Sequence, residues 1–134
     1  MASIVDVEGI GKTYAEKLQA VGVKTTDALL EQGGSPKGRK ALAEKAGIAE
    51  KLILEWVNHV DLYRIKGVGS EYSDLLEEAG VDTVVELATR KPENLVKAME
   101  ESNKKKKLVR KMPTLDMVTD WVEQAKKLPR LISY

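Results

Sequence analysis

The sequence predicts an all-α protein, and three observations support this fold class. Apolar side chains recur at helical spacing, as in Tyr14, Leu18 and Val21, which follow one another at intervals of four and three residues. The same spacing returns 58 positions later in the chain. The alternation of apolar and polar residues that is typical of strands is confined to one short candidate at residues 4–7. We therefore expect short helices joined by tight turns.

An internal repeat predicts the domain organisation. The pair of glycines at residues 9–11 recurs at residues 67–69, and the same offset of 58 relates apolar, Gly and Thr positions downstream. Trp56 recurs as Trp121, 65 positions later, so the second copy has gained seven residues. We expect two similar units packed as one compact body, the second carrying a lysine-rich insertion: residues 1–62 and 63–134.

Turn and capping residues place the helices of the first copy in order. Ser, Thr or Asp is expected at several helix starts and Gly at several helix ends, which is the usual chemistry of helix termini. Gly22 is expected to end the first helix as a left-handed C-cap, and Thr26 or Asp27 to start the second. Ser35 with Pro36 is expected to start the third helix, and Gly47 precedes a fourth that begins near Ala49.

The second copy repeats this plan. Its first helix ends at Gly80, and Thr83 starts the next one. Pro92 opens a helix that leads into a run of lysines, and Pro113 breaks the chain before a helix over residues 115–127.

Large side chains at equivalent positions predict the two cores. Leu18 and Leu76 are related by the repeat, as are Trp56 and Trp121, so we expect all four to be buried. Tyr14 and Tyr72 are also equivalent, and each ring is expected to pack in its core with the hydroxyl at the rim.

Composition excludes several classes of function. Lys plus Arg is 22 and Asp plus Glu is 21, so the net charge of +1 argues against global capture of a polyanion. With no Cys and one His, disulfides and the usual zinc or iron ligand sets are excluded, and we expect no cofactor and no metal. No apolar stretch reaches the roughly 18 residues of a membrane span, and the first residues lack a signal-like pattern. We expect a cytoplasmic protein with no membrane partner.

Residues 7–11 read apolar, any, Gly, apolar, Gly, and are followed by Ala15 and Leu18 before the turn at Gly22. This pattern resembles a helix-hairpin-helix motif, and residues 65–69 with their downstream neighbours are similar. The doubled arrangement, closed in each copy by a Trp-bearing helix, resembles a family of prokaryotic repeat proteins of unknown function. The resemblance implies SAM-like bundles of short helices. It also implies non-enzymatic, sequence-independent binding of the duplex DNA backbone, with two hairpins able to clamp both strands across the minor groove.

The physics of such a hairpin explains its glycines. The turn needs backbone angles that favour Gly, and it leaves amides at the next helix's N-terminus open to a phosphate. Phosphate contacts fix position but carry no base information. The candidate nucleic-acid-binding residues are Gly9, Ile10, Gly11 and Lys12 in the first hairpin, Gly67, Val68, Gly69 and Ser70 in the second, and the lysine run Lys104, Lys105, Lys106 and Lys107.

Local charge favours the first hairpin for this role. Lys12 and Lys17 lie in its helix, whereas the second hairpin's helix has four acidic residues and no basic one between Ser70 and Ala79. Residues 71–101 hold nine acidic against three basic residues, and residues 102–111 hold six basic ones. A smaller basic set lies at another helix N-terminus: Lys37, Arg39 and Lys40.

Two interpretations of these features stay open. The basic cluster can neutralise phosphates, or it can be a solvated helix end that balances the neighbouring acidic helices. Gly-rich turns can also serve only to pack helices closely. The alternative function is therefore a protein-interaction or scaffolding module in which the hairpins are purely structural, and an enzyme is a distant third.

Overall fold

The structure, a computed structural model, describes residues 3–7 and 9–134. Met1, Ala2 and Glu8 lie outside the described residues, and Glu8 is the second residue of the first hairpin pattern. The prediction of an all-α fold is confirmed, since the described residues form one short 3-10 helix and eight α-helices, with no strand among them.

The eight helices follow one another closely along the chain. The first four are α1 (Gly11–Ala20), α2 (Thr26–Gly33), α3 (Pro36–Ala46) and α4 (Glu50–Leu62), and the last four are α5 (Ser70–Glu78), α6 (Val84–Ala88), α7 (Pro92–Lys106) and α8 (Leu115–Lys127). Among the described helices, none is long and apolar enough to cross a membrane.

The chain divides into two compact units. The first unit is Met1–Asp61 together with Leu131–Tyr134, and the second unit is Leu62–Arg130. The sequence-based division after residue 62 lies close to this boundary. The last four residues, which the repeat assigned to the second copy, belong to the first unit.

Hydroxyl side chains start four of the α-helices. In each case the side-chain oxygen accepts a hydrogen bond from a backbone amide of the first turn, which satisfies a donor that the helix itself leaves unpaired. The four caps are Thr25 to α2 (3.1 Å), Ser35 to α3 (3.0 Å), Thr83 to α6 (3.3 Å) and Thr114 to α8 (3.1 Å). At the other ends, Gly22, Gly47 and Gly80 have the positive φ expected where a helix stops.

Residues 4–7 do not form the strand that was considered from sequence. Ile4–Asp6 is a 3-10 helix, capped by the Ser3 side chain. Ile4 is 0% exposed and Val7 2%, whereas Val5 is 46% exposed. Burial therefore recurs after three residues, which is the period of a helical turn rather than the period of two of a strand.

Each unit is built around one tryptophan. Trp56 is 4% exposed and Trp121 is 2% exposed, and Leu18 and Leu76 are fully buried, so the predicted burial of these four residues is confirmed. The indole of Trp56 packs on the ring of Tyr14, with a centroid distance of 5.1 Å and a tilt of 58°. In the second unit Trp121 packs on Tyr72 in almost the same way, at 5.2 Å and 52°.

In the second unit, α8 packs against two neighbouring helices. Helices α6 and α7 contact it directly, and α5 contacts α7. The core of this unit joins residues from all four helices and from the segments before α5 and after α7. This arrangement places the α7–α8 connection on the same core as the second hairpin.

Arg39 is a structural residue rather than a surface cation. It is only 4% exposed. Its guanidinium donates to the carbonyl of Gly33 (2.9 Å) and to that of Ser133 (2.7 Å). The Ser133 amide in turn donates to the Gly34 carbonyl at 2.7 Å, so Arg39 holds the C-terminal residues onto the first unit. Of the basic set expected at this helix, Lys37 and Lys40 remain exposed.

We predict that Arg39→Met lowers the free energy of unfolding by at least about 3 kcal/mol, because it removes two hydrogen bonds from a charged donor, each of which contributes about 1.5–3 kcal/mol. Urea unfolding measures the loss, with Lys40→Met as the matched control on an exposed neighbour. Equal stability of the two variants would contradict the structural role.

Candidate nucleic-acid interface

The second hairpin (residues 65–70) is a tight turn that leads into α5. Gly67 lies in the left-handed region with φ of 98°. The Val68 amide donates to the Ile65 carbonyl at 3.1 Å and closes the turn. Gly69 is the N-cap of α5 and has an extended backbone, with φ of −105° and ψ of −161°. The helix then begins at Ser70.

The first hairpin (residues 7–12) has a similar turn but a different entry into its helix. Gly9 has φ of 90°, and the Ile10 amide donates to the Val7 carbonyl at 3.2 Å. Gly11, the first residue of α1, is itself left-handed with φ of 68°, unlike its repeat partner Gly69. Lys12 follows and is exposed. The two hairpins are therefore alike in their turns and unlike at their helix starts.

Ile10 and Val68, both named from sequence, hold the turns together. Their side chains are buried in the cores. Their amides are taken up by the turn hydrogen bonds to residues 7 and 65. The exposed candidate residues of the hairpins are Gly9, Gly11 and Lys12 in the first and Gly67 and Gly69 in the second, with Ser70 half-buried.

Positive φ favours Gly at the first glycine of each hairpin, and Trp121 also leaves little room for a side chain at Gly67. A Cβ on Gly67 would lie 3.0 Å from Nε1 of Trp121, and one on Gly9 would lie 3.8 Å from Nε1 of Trp56. A side chain at either position would also have to adopt a positive φ. The indole therefore packs beneath its own unit's hairpin, a contact that the sequence repeat did not indicate.

The start of α5 lacks the side-chain cap that four other helices have. Its N-cap residue, Gly69, has no side chain that could accept from the first amides, although the Gly69 backbone is extended as at the four capped starts. A Cβ at Gly69 would meet nothing within 4 Å. Helix α1 also starts without a side-chain cap, from Ile10 in a helical conformation. Open space above uncapped amides is the geometry that an anion at a helix N-terminus needs.

A cavity of about 420 Å³ lies at the second hairpin. It brings together two segments about 40 positions apart in the sequence, the hairpin and the connection after α7. Its lining residues are Gly67, Gly69, Ser70, Glu71, Tyr72, Arg110 and Lys111. The second hairpin therefore acquires two cations that its local sequence lacks.

Arg110 and Lys111 are the residues that sequence reasoning did not assign to the site. The sequence places both residues in the basic cluster at residues 102–111. The candidate binding residues from that cluster, however, were only those of the lysine run. Only the packing of the α7–α8 connection against α5 brings them to the hairpin. The same cavity is also lined by Glu71, whose carboxylate repels an anion. With Arg110 and Lys111, the lining has a net charge of +1.

The lysine run ends α7 and does not line this cavity. Lys104, Lys105 and Lys106 occupy the last turn of α7, where cations favour the negative end of the helix dipole, and Lys107 is the C-cap. Lys106 pairs with Glu78 of α5 at 2.9 Å, with both side chains partly exposed. One of the four lysines thus balances an acidic helix, as the solvated-face interpretation expects, and such a surface pair contributes little stability.

The family model Domain of unknown function (DUF4332) matches residues 8–128, so the chain belongs to this family. The match covers most of both units. Neither the curated proteins nor the solved structures that were compared with the chain include a match.

Proposed function

We propose that this DUF4332 domain consists of two helix-hairpin-helix units and binds the phosphate backbone of nucleic acid without reading its sequence. One observation carries the proposal. The cavity at the second hairpin joins the start of α5, whose N-cap Gly69 carries no side chain, to the cations Arg110 and Lys111.

The chemistry of this cavity suits a phosphodiester. The amides at the start of α5 donate along the helix axis, where the dipole also favours a negative charge. The Arg110 guanidinium has the planar pair of donors that matches two phosphate oxygens, and Lys111 adds a mobile point charge. All of these groups recognise phosphate oxygens, and backbone contacts of this kind position a protein without distinguishing bases. The proposed activity is therefore binding without catalysis.

The first hairpin and the lysine run supply further contacts in this proposal. Lys12 is exposed beside the uncapped start of α1, and the lysine run is exposed at the end of α7. Each exposed cation that neutralises a phosphate releases a counterion, which makes the affinity depend on salt. Neutralising the lysine run should then reduce affinity for all sequences alike.

We predict that Gly69→Ser raises stability slightly and lowers affinity about tenfold at about 50 mM salt, the contribution of one phosphate contact. Serine at this extended N-cap supplies an oxygen to the amides of α5, which favours the helix by a few tenths of a kcal/mol relative to Gly. The same oxygen occupies the donors that the phosphate needs. Urea unfolding and a binding titration on duplex DNA measure the two effects.

Gly69→Ala is the matched control, because it adds a Cβ without an acceptor oxygen. If the amides bind phosphate, Ala weakens binding less than Ser does. Equal binding by wild type and Gly69→Ser would remove the α5 amides from the interface.

The proposed function is tested directly by titrating duplex and single-stranded nucleic acid at low and moderate salt. We expect binding that weakens steeply with salt and does not depend on base sequence. The alternative, a protein-interaction or scaffolding module, expects no binding even below about 100 mM salt, where nonspecific phosphate contacts are strong. That result would leave the hairpins with a structural role only.

A further inference from the structure

The cations of the second hairpin lie on a short connection that is fixed at three points. This basic segment, residues 107–111, joins the end of α7 to the break before α8. These points are Lys107, Val109 and Lys111, and the hydrogen bonds that fix Val109 and Lys111 come from the side chains of Asn103 and Tyr72.

Asn103 binds the segment with both ends of its side-chain amide. Its Oδ1 accepts from the Val109 amide at 3.0 Å, and its Nδ2 donates to the Val109 carbonyl at 3.3 Å. Its own carbonyl accepts from the Lys107 amide at 2.8 Å. Lys107 is left-handed with φ of 50°, the only non-glycine among the described residues with a positive φ. The chain thus reverses direction at the end of α7 and is immediately tied down two residues later.

Two further contacts define where the cations lie. The Val109 side chain is buried in the core of the second unit. The Tyr72 hydroxyl donates to the Lys111 carbonyl at 3.1 Å, while its ring packs on Trp121. Arg110 lies between these anchored residues, so its backbone is held on both sides. The basic segment is therefore attached to the second unit on both sides of Arg110.

We infer that Asn103 and Tyr72 are positioning residues that hold Arg110 and Lys111 against the second hairpin. This inference deepens the proposed function and rests on it for the identity of the ligand. Asn103 does not line the cavity and acts through the backbone of the basic segment, whereas Tyr72 lines the cavity and also holds the Lys111 carbonyl through its hydroxyl. Affinity should then depend on the path of the segment as well as on its charge.

Asn103→Leu separates these two contributions, because it removes both side-chain hydrogen bonds and leaves every charge in place. Asn94→Leu is the matched control on the same helix, at an exposed position. Tyr72→Phe is a second, milder variant that loses only the hydroxyl and keeps the ring against Trp121. If Asn103→Leu fails to fold, Tyr72→Phe still tests the inference.

The first measurement needs no ligand. Backbone amide relaxation by NMR should give order parameters of about 0.85 for Arg110 and Lys111 in the wild type and below about 0.6 in Asn103→Leu. Tyr72→Phe should lower the value at Lys111. Hydrogen exchange at the Val109 amide should accelerate at least tenfold in Asn103→Leu and stay unchanged in Asn94→Leu.

The second measurement is a titration of duplex DNA against salt. Asn103→Leu should bind about tenfold more weakly at about 50 mM salt, with a logarithmic salt dependence that is shallower by about one phosphate contact. If the segment acts only through its charge, Asn103→Leu should keep the wild-type affinity and the wild-type slope of log affinity against log salt, since the net charge is the same. A purely structural role for Asn103 predicts a stability loss with no change in slope.

The outcomes distinguish this inference from the proposed function. Unchanged order parameters in Asn103→Leu and Tyr72→Phe overturn the inference, and so does a loss of order with wild-type affinity and salt dependence. If the wild type binds neither duplex nor single strand, the proposed function fails. The order parameters alone then decide whether Asn103 and Tyr72 fix the segment.

Discussion

Replacing Trp121 with alanine should lower the free energy of unfolding by about 3–5 kcal/mol, the usual cost of truncating a buried tryptophan. Trp121 is almost fully buried between the hairpin at Gly67 and the ring of Tyr72. The alanine variant loses the apolar burial and leaves a cavity beneath the turn. Such a loss is a large share of the total stability of about 5–15 kcal/mol of a typical domain. Chemical denaturation measures it.

Leu115→Ala in the same helix is the control for this substitution. Leu115 is one of the exposed large apolar residues, so its truncation should change stability by less than about 0.5 kcal/mol. Trp56→Ala should reproduce the large effect in the first unit, where the same indole-hairpin-tyrosine arrangement occurs. A cost below about 1 kcal/mol for both tryptophans would contradict their role as anchors of the two cores.

The parts of the fold that follow from local chemistry could be predicted from the sequence. Thr25, Ser35 and Thr83 cap helices because a side-chain oxygen close in sequence reaches the free amides of the first turn. Gly22 and Gly80 end helices because only Gly takes a positive φ at little cost. These effects act within about four residues, so the sequence around each position contains the information.

Interactions between distant segments could not be predicted in this way. The sequence groups Arg39 with Lys37 and Lys40 as a basic set at a helix N-terminus, yet its guanidinium donates to the carbonyl of Ser133, 94 positions away. Residues 4–7 alternate like a strand, but the burial of Ile4 and Val7 follows a helical turn. In both cases a tertiary contact outweighs the local pattern.

The candidate site shows the same limit. Counting charges along the sequence favoured the first hairpin, since the helix after the second one is acidic. The structure adds Arg110 and Lys111 to the second hairpin from a segment that no local window includes. The signal that was available from sequence was the seven-residue gain in the second copy, because the interval that carries it, between Leu87 and Trp121, includes this segment.

The double substitution Arg110→Glu and Lys111→Glu should have the largest effect on binding. Each cation that neutralises a phosphate of duplex DNA contributes about 0.9 to the slope of log affinity against log salt. Loss of two contacts should therefore flatten the slope by about 1.8 and lower affinity about 100-fold at about 50 mM salt, with further loss from the added carboxylates. Titrations of duplex DNA at several salt concentrations measure both quantities.

Lys126→Glu with Lys127→Glu is the matched control for charge. It changes the net charge of the same unit by the same amount, at exposed positions that do not line the cavity. Lys12→Glu, at the first hairpin, removes only the one phosphate contact assigned to it. It should therefore lower the affinity for duplex DNA about tenfold at about 50 mM salt. If the control pair weakens binding as much as the substitutions at Arg110 and Lys111, affinity follows net charge alone. The cavity at the second hairpin then has no part in recognition, because a built phosphate site must distinguish cations that face the ligand from cations that do not.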